Sequence, residues 1–255
     1  MYEYWGLTEI SYVTSTTVLS SGNALYDPVP VTTAQLGYYA CTVEAEQYEA
    51  MLVTVSGDGV TISSTADYYG EIPIDDGSGM SAMDDHNWDV STFLEESIGD
   101  DYANYVVTSI TGTVTYSYST FEIAPRNASD FVFAPSMSPT VTPSPTISLA
   151  PTATYFAHVA ISDIQNVTAD AGGTCLDSPL DDQAVSITGI VMKTSGSSHY
   201  STHHGFYLQD SDAPFSGIYV YVGTGNVAVT EGDEVEVNGT VFEFWGLTEI
   251  SYVTS

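Results

Sequence analysis

Apolar residues along this chain recur most often with a period of two. β-Branched and aromatic residues alternate with polar ones in VSITGIVM (185–192), GFYLQD (205–210), GIYVYV (217–222) and DEVEVNGTVFEFW (233–245), which predicts strands. Gly, Asn, Asp and Ser clusters punctuate them, as tight turns require. Only DVSTFLEESIGDDY (89–102) has helical spacing, through Phe93, Leu94 and Ile98, with Gly99 placed to stop it. The expected fold class is all-β.

Residues 134–154, APSMSPTVTPSPTISLAPTAT, fit neither period. Pro at 135, 139, 143, 145 and 151 fixes φ and removes ladder donors, so an extended, polyproline-like linker is expected. Ser136, Ser138, Thr140, Thr142, Ser144, Thr146, Ser148 and Thr152 stand among those prolines, the composition of an O-glycosylated stalk; a bare flexible spacer is the alternative. The flanking blocks share a frame. Gly112-Thr113-Val114 is followed by Phe121-Glu122-Ile123 in one, and Gly239-Thr240-Val241 by Thr248-Glu249-Ile250 in the other. Two divergent copies of one small antiparallel barrel are predicted.

A longer identity overlies this likeness. WGLTEISYVTS occupies residues 5–15 and again residues 245–255, 240 positions later. A lone strand cannot satisfy its backbone ladder, so the leading copy needs a sheet. The expectation is a tandem array. Residues 1–25 finish a first-type barrel begun in a preceding unit, 26–133 form a second barrel, 134–154 the linker, and 155–255 the next first-type barrel. Trp5, Leu7, Ile10, Tyr12 and Val13 then contact an adjoining unit. Donor-strand exchange between separate chains predicts the same contacts.

The run from Phe206 to Asp210, with Gly217 to Val220, Gly232 to Val241 and Trp245 to Thr248, resembles the OB-fold modules of large secreted nucleases. Tyr48-Glu49-Ala50-Met51-Leu52-Val53 and Gly70-Glu71 look like the companion domain, with Ala50 where that family usually has Gly. The resemblance implies two OB-like barrels and secretion. It implies no catalysis, because in that family the activity resides in a separate domain whose residues have no counterpart here.

Charge narrows the function classes. The chain has 33 acidic residues against two basic ones, Arg126 and Lys193, for a net charge of −31. Phosphate binding needs Lys and Arg, so nucleic acid is not an expected partner. Carboxylates at one- and two-residue spacing in Gly/Ser loops suit Ca²⁺, and Asp75, Asp76, Asp84, Asp85, Asp89, Asp210 and Asp212 are the candidate ligands, with solvated loop carboxylates as the alternative. His199, His203 and His204 sit in a Ser-rich stretch that reads as a loop, with a Zn²⁺ site as the less favoured alternative. No nucleophile elbow is visible, and no run of apolar residues is long enough to span a membrane. Sequons at Asn127, Asn166 and Asn238 favour a secreted glycoprotein, in which Cys41 and Cys175 form a disulfide; two buried thiols are the alternative. The reading is a non-enzymatic subunit of an extracellular or cell-surface filament, its partners copies of itself. The alternative is an accessory glycan-binding module, or a DNA-binding one bridged by Ca²⁺, of a secreted hydrolase.

Overall fold

The computed structural model describes residues 9–39, 42–117, 120–133, 157–166, 178–195, 204–223 and 228–242. The predicted linker 134–154 with its eight Ser/Thr positions lies outside these residues, as do Trp5, Leu7, Cys41, Cys175, His199 and His203. In chain order the elements are β1 (Glu9–Ser20), β2 (Val29–Val31), α1 (Thr33–Leu36), α2 (Val43–Glu46), β3 (Leu52–Val55), β4 (Val60–Ile62), β5 (Ile72–Asp75) and β6 (Met80–Met83). They continue with α3 (Val90–Ile98), β7 (Val106–Val107), β8 (Ser109–Ser117), β9 (Thr120–Ala124), a 3-10 turn (Ala128–Asp130) and β10 (Phe131–Val132). The last are β11 (Ala157–His158), α4 (Ile161–Gln165), β12 (Ala184–Ser195), β13 (His204–Gln209), β14 (Gly217–Gly223) and β15 (Glu234–Phe242). The chain is mostly β, in curled sheets of mixed but largely antiparallel pairing.

One sheet runs β12-β13-β14-β1-β15, and β15 pairs again with β12, so these five strands form a ring. The ring follows from alternation: Val185, Ile187 and Val191 of β12, Phe206 and Leu208 of β13, Ile218 and Val220 of β14, and Val235, Val237 and Val241 of β15 turn inward and are buried. Ile161 and Ile164 of α4 pack on the same core.

The other sheet runs β2-β3-β8-β9-β6-β5-β4-β7, with β10 beside β8. Its core holds Val53, Val55, Ile62, Ile72, Ile74, Met83, Ile110 and Val114, with Val90 and Leu94 of α3. The predicted helix is α3, and its ends have the expected chemistry. Asp89 accepts from the Thr92 amide at 2.9 Å at the start, and Gly99, at φ +108°, donates to Glu95 at the end. Both sheets contain one internal parallel pair in the equivalent place, β6 with β9 and β14 with β1.

The two sheets touch through polar and backbone contacts. The Leu52 amide donates to Gln209 Oε1 at 3.1 Å, the Phe215 amide to the Gln47 carbonyl at 2.7 Å, and the Tyr26 hydroxyl to the Asp210 carbonyl at 2.7 Å. Met192, Tyr207 and Tyr219 of the ring join the core of the other sheet. Gly217 permits the closest approach, since a Cβ there would lie 2.6 Å from backbone atoms of Ala50 and Met51.

Ala50 explains one departure from the resembled pattern. Its φ is +56°, a left-handed conformation that glycine adopts without cost and alanine does not. Alanine is held there because its amide donates to the Val114 carbonyl at 2.9 Å and its methyl is fully buried.

The expectation for residues 1–25 needs correction. β1 lies against its own chain: Glu9 pairs with Phe242 and Tyr219, Ile10 with Val241 and Val220, and Thr16 to Val18 with Val237 to Val235. Ile10 and Tyr12 are therefore strand residues of the ring, and Val13 packs against its core, rather than against an adjoining unit. The physical demand was read correctly, since a strand must find a sheet. The sheet is more than 200 residues downstream in the same molecule.

Candidate functional site

The candidate site lies where β5, β6 and β9 meet at one end of the second sheet. Every described side chain of β9 is buried, including Glu122, which is fully shielded from solvent. A carboxyl group in such a position keeps its proton, and two neighbours, Asp84 and Glu71, reinforce that. β9 is parallel to β6, so Glu122 stands beside Ala82, and the chain leaving β6 brings Asp84, whose amide donates to the Ile123 carbonyl at 3.0 Å. Glu71, just before β5, comes to the same place. Burial first, then the charges of Asp84 and Glu71, push the Glu122 pKa well above the ordinary carboxyl value. As a carboxylate Glu122 would have no donor for either oxygen. Protonated, it faces Glu71 and Asp84 and donates to a carboxylate.

The neighbours are displaced in the same direction. Burial, then Asp67 and Asp84, raises the Glu71 pKa, and burial, then Asp84 and Asp89, pushes Asp85 to about 7. Burial lowers the His86 pKa against the opposing pull of Asp84. The His86 ring stands edge-on to Tyr219 of the ring of strands, centroids 6.4 Å apart, so the site abuts the contact between the sheets.

Tyrosines border this acidic ground. The Asp67–Glu71 loop closes on itself, with the Tyr69 and Glu71 amides donating to Asp67 Oδ1 at 2.8 and 3.1 Å. Gly70, at φ +91°, makes the turn and leaves room for the Asp85 carboxylate, which a Cβ would meet at 2.6 Å. The loop carries Tyr68 and Tyr69, 82% and 56% exposed, with rings edge-to-face at 5.3 Å. A second pair, Tyr38 and Tyr39, is edge-to-face at 4.3 Å, and Tyr39 is 59% exposed. The Tyr39 amide donates to Thr120 Oγ1 at the start of β9. Burial, then Tyr39, then Glu71 and Asp67 raise the Tyr38 pKa, so both tyrosine pairs adjoin the same carboxyl groups.

The seven candidate calcium ligands are dispersed, and among the described residues no group of three acidic, His or Cys side chains is placed to hold a metal. Asp84 and Asp85 reach the buried cluster. Asp89 caps α3. Asp75 and Asp76 organise their own turn: Asp75 accepts from Gly77, and Asp76 from Thr33 and Ser78. Burial would raise the Asp76 pKa, but those donors together hold it below the usual range. Asp210 accepts from the Ile161 amide at 3.0 Å, and Asp212 is exposed. Both basic residues are engaged, Arg126 with Asp130 at 2.7 Å and Lys193 with Glu231 at 3.2 Å.

The sequons differ in accessibility. Asn127 and Asn166 are exposed at the ends of short helical turns. Asn238 is 8% exposed within β15 and its amide donates to Ser15 Oγ at 3.1 Å, so the folded ring does not present it to a glycan. His204 begins β13, half-buried.

Sequence reasoning singled out Asp-rich loops and passed over Glu71, Glu122 and the tyrosine pairs. A signal existed in TFEIA (120–124), where Glu interrupts a strand of otherwise apolar and small residues; the nearest basic residue, Arg126, pairs with Asp130 instead. No family model matches this chain, and no curated protein is significantly similar to it.

Proposed function

We propose that the chain is a non-catalytic, glycan-binding module of a secreted protein, built from two OB-type barrels. The single observation that carries the binding role is the pair of tyrosine couples, Tyr38–Tyr39 with Tyr39 exposed and Tyr68–Tyr69 with both exposed, bordering Asp67 and Glu71. Tyrosine rings offer apolar faces to the C–H side of a sugar, and carboxylates accept from its hydroxyl groups. A neutral polyhydroxylated ligand suits this ground better than an anionic one. With 33 acidic residues and both basic ones paired, the chain has no free Lys or Arg to offer a phosphate.

Binding is favoured over catalysis by the burial of Glu122. Glu122, whose pKa is raised well above the ordinary carboxyl value by burial, touches no solvent and therefore no substrate. The OB-type reading rests on strand order, with five strands closing a ring and a parallel pair in the equivalent place in each sheet. Secretion rests on the exposed sequons, the Pro/Ser/Thr segment and the acidity. The pairing of β1 within its own chain leaves that strand with no need of an adjoining unit, which supports the module reading over the filament one.

The test is polysaccharide affinity electrophoresis with the intact chain and a Tyr39→Ala/Tyr68→Ala variant. Retardation by at least one neutral polysaccharide, abolished in the variant at unchanged melting temperature, is expected. Equal retardation of the two proteins, or none of either across a broad glycan panel, overturns the proposal.

A further inference from the structure

The slot between β14 and β15 is filled by residues whose sequence the chain contains twice. The first seven residues of β1, Glu9 to Ser15, read EISYVTS, and residues 249–255 read EISYVTS as well. Each contact the slot makes with that part of β1 is therefore available to the second copy. Glu9 pairs with Tyr219 and Phe242, Ile10 with Val220 and Val241, Ser11 with Thr240 and Ser15 with Asn238. Thr14 Oγ1 donates to the Asn238 carbonyl at 3.0 Å, and Asn238 donates to Ser15 Oγ.

Chain connectivity favours the second copy. β15 ends at Phe242, and β1 runs antiparallel to it, so residue 249 takes the position of Glu9 after a connection of six residues, 243–248. Such a connection is ordinary for adjacent strands. β1 instead reaches Phe242 across more than 230 residues, and the −3/2-power dependence of loop closure on length favours the near copy by about two orders of magnitude. β1 offsets this with pairings beyond the repeated stretch. Thr16, Thr17 and Val18 pair with Val237, Glu236 and Val235, Ser20 pairs with Glu234, and Ser20 Oγ donates to Glu234 Oε2 at 2.9 Å. Closure and length pull in opposite directions, which is the condition for exchange.

We infer that the gap between β14 and β15 is a strand-acceptor site with two occupants encoded in the chain, residues 9–15 and residues 249–255 of the same molecule, which displace one another. In either state the ring keeps five strands; what changes is whether β1 is held in it. Exchange thus couples the leading segment of the chain to the ring without unfolding either sheet. The inference stands independently of the glycan reading.

Proline at residue 10 tests it, because Ile10 pairs on both sides and proline removes a ladder donor. Melting and light scattering are compared for Ile10→Pro, Ile250→Pro and the double variant. Each single variant is expected to melt within about 3 °C of the parent as a monomer, and the double variant about 10 °C lower or unfolded. A Ser251→Cys/Thr240→Cys pair in the Ile10→Pro background is expected to form a cross-link, mapped by peptide mass, because Ser251 then stands where Ser11 faces Thr240. An Ile10→Pro variant as destabilised as the double one, a double variant no worse than the single ones, or an absent cross-link overturns the inference. So does an Ile10→Pro protein that keeps its melt only as a concentration-dependent dimer, which assigns the strand to a second copy.

Discussion

At the residue scale, a carboxyl group enclosed by a sheet either keeps its proton or faces its neighbours unpartnered, and Glu122 has that choice. Its pKa is raised by burial, then by Asp84 and Glu71. A group whose folded pKa exceeds its unfolded value supports the fold fully at low pH. That support fades as pH rises from the unfolded value toward the folded one. Glu122→Gln keeps the shape, cannot ionise, and removes this dependence. The variant is expected to match the parent near pH 4 and to be more stable at pH 8, since each proton no longer held weighs about 1.4 kcal/mol per pH unit. Urea melts at the two pH values decide it, and a variant less stable than the parent at pH 8 would show that Glu122 is held as a charge. The same residue shows the limit of legibility at this scale. A Glu among apolar neighbours in TFEIA marks a buried acid, but its partners are more than 35 residues away and are joined to it only by the parallel pairing of β6 and β9. Asp89, a calcium candidate in the sequence, is a cap in the structure, and that role was legible locally because a cap acts on a residue three positions ahead.

At the scale of elements, alternation found the strands of the ring and the 3.6-residue period found α3, because both are local properties of the chain. It did not find the short helices α1, α2 and α4, where four or five residues carry too little period, nor the partner of β1. Two identical segments were read as belonging to two units, whereas the ring has one place and the leading copy fills it. The contact between the sheets was equally hidden, because it depends on the absence of a side chain. Gly217 begins β14, and a Cβ there would meet Ala50 and Met51 backbone at 2.6 Å and the Glu49 carbonyl at 2.7 Å. Backbone cannot rotate away as a side-chain tip can, so Gly217→Ala must push the sheets apart and strain the Leu52–Gln209 and Phe215–Gln47 hydrogen bonds. A loss of about 1–3 kcal/mol is expected from overpacking of this kind. Denaturant melts measure it, and an unchanged midpoint would mean that the sheets do not meet at Gly217 in solution.

For the molecule as a whole, the formal charge of −31 overstates the repulsion that the fold must bear. Five of the described carboxyl groups, Glu46, Glu71, Asp85, Glu122 and Asp210, have raised pKa values, in each case with burial as the largest cause. Glu46, buried against Glu49, is pushed to about 8, with the Glu49 hydrogen bond opposing, and Asp85 to about 7. Their ordinary values are 4.5 and 3.8, so both withdraw support across the interval from about pH 4 to about pH 8. Asp76 and Asp233, with lowered pKa values, act in the opposite sense only below about pH 4, and buried His86, lowered from 6.5, is one group opposing five as the pH falls through 6.5. The melting temperature is therefore expected to rise as the pH falls from 8 to 5, and added salt to raise it more at pH 8, where more charge remains to be screened. Protons serve here in the role that sequence reasoning gave to calcium, neutralising carboxylates from inside the fold. A thermal scan at pH 5 and pH 8, with and without chelator, separates the two. A melting temperature higher at pH 8, or one that falls on chelation at pH 5, would return the task to a bound cation.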